Sequence, residues 1–182
     1  MSEEKKSNRI DIINKLFSQK ENQRILDIGA WKWYYSILAA SYHHTVDSIE
    51  PNQMKIFQFP NFLKHHPHIN YSDQTIQEYK INNNYDIILC LNVMMFLSKD
   101  YFLNTLLPKL KKHTNPWWYI ILSRFGSEDK SFKKPITLFD KKEIIDSKWK
   151  EINYNEETVS QDHPPLWPHT HNIKFLVIKK EK

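Results

Sequence analysis

Two rhythms of apolar positions run along the chain. Ile10, Ile13, Leu16 and Phe17 recur at helical spacing behind Ser7, a good helix cap, and predict a leading helix over residues 8–19. From residue 24 onward the apolar residues gather in short runs: 24–28, 45–50, 69–71, 85–93 and 118–123. The runs at 24–28, 85–93 and 118–123, with few polar interruptions, predict buried strands of a parallel sheet, and 45–50 and 69–71 a second and a short third strand. Helical patterns separate them at 34–42, from Pro51 to the break at Pro60, and from Ser98 through Phe102, Leu103 and Leu106, where Pro108 should bend or interrupt the helix before Lys112. A brief turn is expected near Gln77, an irregular stretch at 125–136 and a helix at 140–147. Two strands then follow in succession, 149–154 and 172–178, around the Pro- and His-rich connection 162–171. The alternation predicts an α/β fold: a doubly wound, mostly parallel seven-stranded sheet closed by an antiparallel edge hairpin. Residues 1–20 should form a helix packed on one domain spanning 21–182.

Composition narrows the classes. No apolar run approaches the ~18 to 20 residues that cross a bilayer, and the start is charged, so a cytoplasmic protein without a membrane partner is expected. Cys90 lies inside a strand-like run and should be a buried, inert thiol. The net charge of +5 is spread along the chain, which makes nucleic acid a poor candidate partner. There is no Gly-x-Ser-x-Gly elbow, cysteine pair or Walker loop. His65, His66 and His68 have ligand-like spacing but adjoin Pro67, which favours a solvated loop over a metal site. The outlying number is two glycines against six tryptophans, where average usage gives roughly a dozen glycines.

The chemistry concentrates at Arg24-Ile25-Leu26-Asp27-Ile28-Gly29, an apolar run ending in Asp and Gly before a helical pattern. Such a strand delivers backbone to a ligand at its carboxyl end. The next strand ends at Glu50, where a carboxylate can accept from ribose hydroxyls. Two indoles, Trp31 and Trp33, stand in the intervening turn, where close backbone approach normally calls for glycine.

With these motifs the chain resembles the class I S-adenosylmethionine-dependent methyltransferases over about residues 20 to 182, and most closely the TehB-type tellurite-resistance methyltransferases. Leu26-Asp27-Ile28-Gly29 matches the first motif, Ile49-Glu50-Pro51 the ribose acid, Asp73 the acid beside adenine and residues 85–92 the fourth-strand motif. Met94-Met95-Phe96-Leu97 and the stretch from Trp149 to Glu157 resemble the narrower family. The resemblance implies a Rossmann-like fold, S-adenosyl-L-methionine as cofactor, and a small-molecule or oxyanion methyl acceptor. It also implies a cofactor set of Asp27, Gly29, Ala30, Trp31, Glu50, Pro51, Asp73, Gln74, Leu91 and Asn92, with Asp27 and Gly29 near the methionine part, Glu50 at the ribose hydroxyls, Asp73 at the adenine, and Leu91 with Asn92 at the opening. His163 and His171, on the closing hairpin, are the candidates for orienting or deprotonating an acceptor.

The departures from the family share a form. Its first loop reads Gly-x-Gly-x-Gly where this chain has Gly29-Ala30-Trp31-Lys32-Trp33, and its Pro-Gly-Gly turn stands here as Pro116-Trp117-Trp118. Trp167 also occupies a turn suited to glycine, whereas Trp149 stands where the family has tryptophan. The pattern predicts UGA codons that the source organism reads as glycine. Genuine indoles would instead obstruct the cofactor loop and leave a noncatalytic relative. A third possibility is a basic RNA-binding or RNA-modifying relative.

Overall fold

A computed structural model of the chain describes residues 9–51, 63, 65–91, 93–126, 141–161 and 169–181. Its seven strands are β1 (Arg24–Ile28), β2 (Thr45–Ile49), β3 (Ile69–Ser72), β4 (Tyr85–Leu91), β5 (Thr114–Gly126), β6 (Trp149–Gln161) and β7 (His169–Lys180). They form one sheet in the order β3-β2-β1-β4-β5-β7-β6, parallel from β3 to β5 and antiparallel across β7 and β6. The expected doubly wound sheet with an antiparallel edge is therefore the observed fold.

Strand alternation sends successive side chains to opposite faces, and the core divides accordingly. Leu26, Ile28, Ile88, Cys90, Ile120 and Leu122 face one cluster, while Ile25, Ile87, Leu89, Leu91 and Ile121 face the other. The second cluster is covered by helices α1 (Arg9–Phe17) and α2 (Tyr34–Ser41). The first is covered by α3 (Lys99–Tyr101), a π-helical turn (Phe102–Leu106), α4 (Leu107–Lys112) and the short α5 (Lys141–Ile144). Among the described residues no helix is long and apolar enough to cross a membrane.

Several boundaries differ from the sequence expectation for identifiable reasons. In α1, Ile13, Leu16 and Phe17 are buried, but Ile10, one turn earlier, lies beyond the contact and is exposed. Ser98 caps its helix as expected, accepting from the Tyr101 N–H at 3.2 Å. Pro108 does not break that helix. The irregularity comes before it, where the Leu107 N–H reaches back five residues to the Phe102 carbonyl. A widened turn of this kind accommodates a proline, which offers no N–H and crowds the preceding turn. β5 begins earlier than its apolar run, since a bulge opposite Tyr85 and Ile87 absorbs Pro116. Among the described residues the last helix covers Lys141–Ile144 and stops short of 147, and the closing strands lengthen. The helix expected between Pro51 and Pro60, the irregular stretch beyond Gly126, and Trp167 lie outside the described residues.

Two buried polar centres fasten the layers. The Gln23 N–H donates to His44 Nδ1 at 3.2 Å, and His44 Nε2 lies 2.9 Å from the Phe17 carbonyl. Only the neutral ring protonated at Nε2 satisfies both contacts, and it ties the end of α1 to the sheet. Burial lowers the imidazole's pKa. In β2, Asp47 collects Tyr85 Oη at 2.7 Å, Asn70 Nδ2 at 2.9 Å and the Arg24 guanidinium at 3.0 Å. Burial alone would raise its carboxyl; the donors from Tyr85, Asn70 and Arg24 outweigh that and hold it below its ordinary value.

Two outcomes follow. Asp47→Ala should destabilise the fold by about 2–4 kcal/mol in urea unfolding, because it strands donors from three strands in the interior. The wild-type contribution is present above the unfolded carboxyl pKa and fades as pH falls through the depressed folded value, so the variant gap should close in acid. His44 works in the same direction: its folded pKa is lowered, so its contribution is lost as pH falls below about 6.5. His44→Ala should speed amide hydrogen exchange in α1 at neutral pH while leaving β4 and β5 protected.

Candidate functional site

The carboxyl ends of the parallel strands lie side by side. Ile28 is paired with Ile49 on one side and Cys90 on the other, and Ile49 is paired with Ser72. Strand order reverses between β1 and β4, the position where ligands enter open α/β sheets. Gly29 leaves β1 with φ +70°. A Cβ there would also meet Val93 Cγ2, so backbone conformation and space both require glycine. The turn is tied to its neighbour by the Gly29 and Ala30 N–H groups, which both donate to the Ile49 carbonyl, at 2.8 and 3.1 Å. It closes with the Trp33 N–H on the Ala30 carbonyl at 2.7 Å.

Asp27 is almost fully buried, and its carboxylate accepts the Ser36 hydroxyl at 2.6 Å and the Ser36 backbone N–H. It thereby caps α2 from a neighbouring strand, since Trp33, at the N-cap position, makes no side-chain capping bond. Ser36 also meets Ser48 Oγ at 3.1 Å. Burial pushes the Asp27 carboxyl up to about 6, the Ser36 donors oppose this, and the charge of Glu50 adds to it. Burial likewise raises Glu50, against the stabilising Trp31 N–H that meets Oε2 at 2.8 Å. Among the described residues the other oxygen of Glu50 accepts no hydrogen bond. An acid at a strand tip with one oxygen held by the loop and one open suits a ligand bearing hydroxyls.

The remaining sequence candidates distribute around these two acids. Pro51 follows Glu50 half-buried, and Leu91 is buried at the end of β4. Asp73 and Gln74 are exposed just past β3, and the charges of Asp73 and Glu50 both help raise the Tyr71 hydroxyl, after burial. Asp73 does not cap the turn that follows: Thr75 and Glu78 do, through the Thr75 N–H and hydroxyl to Glu78 Oε2. Asn92 and His163 lie outside the described residues. The backbone of His171 is in β7 opposite Val159. Burial pushes the Cys90 thiol up to about 12, as an inert core residue requires. His66 and His68 meet at a tilt, His43 meets His68 edge-on, and no group of three or more His, Cys, Asp or Glu among the described residues is arranged to hold a metal.

Three contributors escaped the sequence reading. Ser36 and Ser48 link Asp27 to β2 inside the protein, and Tyr71 donates its hydroxyl to the Glu50 carbonyl at 2.9 Å. The available signal was positional: Ser36 is the third residue of the helix behind the glycine turn, where an N–H needs an acceptor.

No curated protein sequence matches the chain. Among solved structures it is similar to TehB from Haemophilus influenzae, at TM-score 0.74 and 18% identity, covering 94% of this chain and 62% of that one. It thus spans less than two thirds of that relative. It is also similar to the N-methyltransferase NodS from Bradyrhizobium japonicum in complex with S-adenosyl-L-homocysteine, at TM-score 0.69 and 12% identity, covering 97% of this chain and 90% of NodS. A third is the 1,6-didemethyltoxoflavin-N1-methyltransferase of Burkholderia thailandensis with bound S-adenosylhomocysteine, at TM-score 0.67 and 11% identity, covering 97% and 80%. Residues 6–165 match the family described as tellurite resistance protein TehB. The chain belongs to the TehB family.

Proposed function

We propose that the protein transfers a methyl group from S-adenosylmethionine to a small molecule or an oxyanion such as tellurite. The observation that carries this reading is the pairing of the Gly29 turn with the open carboxylate of Glu50 at the tips of β1 and β2. Glu50 would accept from the ribose hydroxyls, with Asp73 and Gln74 toward the base, and Asp27 would hold the start of α2 beside the methionine part. The cofactor supplies a methyl carbon already activated on a sulfonium, so the chain's contribution is binding, alignment and exclusion of water. His163 and His171 remain the candidates for orienting the acceptor. Membership of the tellurite-resistance family supports an oxyanion, and the likeness to NodS and the toxoflavin enzyme, both N-methyltransferases, supports a small nitrogen nucleophile.

Titration with S-adenosylhomocysteine tests the donor assignment, in the chain carrying Trp31 and Trp33 and in a W31G/W33G counterpart. Binding by at least one is expected, and Glu50→Gln in that background should weaken it about ten- to a hundred-fold. Binding by neither, with salt-dependent affinity for RNA, would replace this reading with an RNA-binding one. Formation of S-adenosylhomocysteine from the methyl donor on adding tellurite would assign the acceptor.

The pH response has a defined sign. Asp27 and Glu50 have raised folded pKa values, so acidification protonates them sooner than free carboxyls and removes the charges that favour a cationic donor. Donor affinity should fall as pH drops through about 6, and Asp27→Asn should shift that midpoint in a calorimetric series.

A further inference from the structure

Five described residues other than glycine have positive φ: Asn22, Trp31, Trp33, His43 and Trp117. Asparagine and histidine are types enriched in the left-handed region. The other three are all tryptophan, in a chain with only two glycines. Each occupies a place where backbone geometry calls for glycine. Trp31, at φ 47°, is the first central residue of the turn closed by the Trp33 N–H on the Ala30 carbonyl. Trp33, at φ 56°, precedes α2 and contributes no side-chain cap. Trp117, at φ 71°, sits where the β4–β5 register shifts, in a left-handed conformation that glycine adopts without steric cost.

We propose that positions 31, 33 and 117 are glycine in the protein the cell makes, their codons being UGA read as glycine. Burial gives no rival explanation for two of them: Trp31 is 55% exposed and Trp117 52% exposed. Lys179 lies 5.9 Å from the Trp117 ring centroid but only 5.4 Å from that of Tyr119, so it keeps an aromatic partner without the indole. Trp33 is buried and meets Tyr71 edge-on at 6.3 Å. Tyr71 in turn holds the Glu50 carbonyl, so glycine at 33 opens space next to the strand tip that carries the carboxylate. Trp118 and Trp149 lie outside the left-handed region, and the assignment stops short of them. With it, residues 29–33 read Gly-Ala-Gly-Lys-Gly, a loop whose backbone a ligand can approach closely.

The assignment rests on the proposed methyl-donor site only for its consequence, not for its evidence, and the experiments separate the two. Protein purified from the source cells is digested with trypsin, and the peptides spanning residues 25–32, 33–55 and 113–124 are weighed. Each is expected to be lighter than its tryptophan form by at least one tryptophan-to-glycine difference; tryptophan masses in all three overturn the proposal and leave the methyl-donor reading intact. In ligand-free protein made with tryptophan, W31G and W117G should each raise the melting temperature by about 2–4 °C, and a drop in both would also overturn it. Glycine peptides together with a W31G/W33G chain that fails to bind S-adenosylhomocysteine would sink the donor reading and leave the glycine assignment standing.

Discussion

The contact on which the site depends is the carboxylate of Asp27 against Ser36. A helix that begins with a left-handed residue carrying no acceptor leaves its first N–H groups without a partner, and a buried unpaired donor costs about 1–3 kcal/mol. Asp27 meets that need from β1, and in doing so fixes α2 to the strand tip from which the turn departs. The turn can then be short and tight, because both of its ends are anchored. Its own N–H groups are spent on Ile49, which draws β2 alongside and brings Glu50 to the loop. The same burial that makes the cap strong raises the carboxyl's pKa, so the structural tie and the ionisation of Asp27 are one property.

A second polar centre occupies the sheet nearer the amino ends of its strands. Asp47 gathers donors from β1, β3 and β4, and His44 fixes α1 through a single ring tautomer. The two centres divide the labour along the strands. One holds the register that brings Ile28, Ile49 and Ser72 level, and the other uses that level edge to build a site. Displacing β2 by one residue would turn Asp47 toward the opposite face and carry Glu50 away from the Trp31 N–H together.

Much of this was legible in the residues. β1 and β4 announced themselves as apolar runs, since strands buried on both faces leave no polar rhythm to misread. The glycine turn at Gly29 and the strand-tip place of Glu50 were legible because local spacing sets both. What stayed hidden depends on partners distant in sequence. Ser36 and Ser48 look like ordinary polar residues until the fold sets them against Asp27. The π-helical turn ahead of Pro108 was invisible because a proline alone does not say which side of it will yield. The exposure of Ile10 was hidden too, because helical periodicity marks a face and not where along the helix the contact ends.

The ends of the sheet have a consequence of their own. An outermost strand is an open template on which another chain can pair. Here one border, β3, is only four residues long, and the other, β6, is interrupted where its register slips between Glu151 and Asn153. The short border leaves little ladder to a neighbour, whereas β6 runs in continuous register from Asn153 to Gln161. Sideways growth into fibres is thus hindered at the β3 border by its shortness, while β6 carries Glu151, Glu156 and Glu157 among its mostly polar residues, charges that oppose pairing with a second copy.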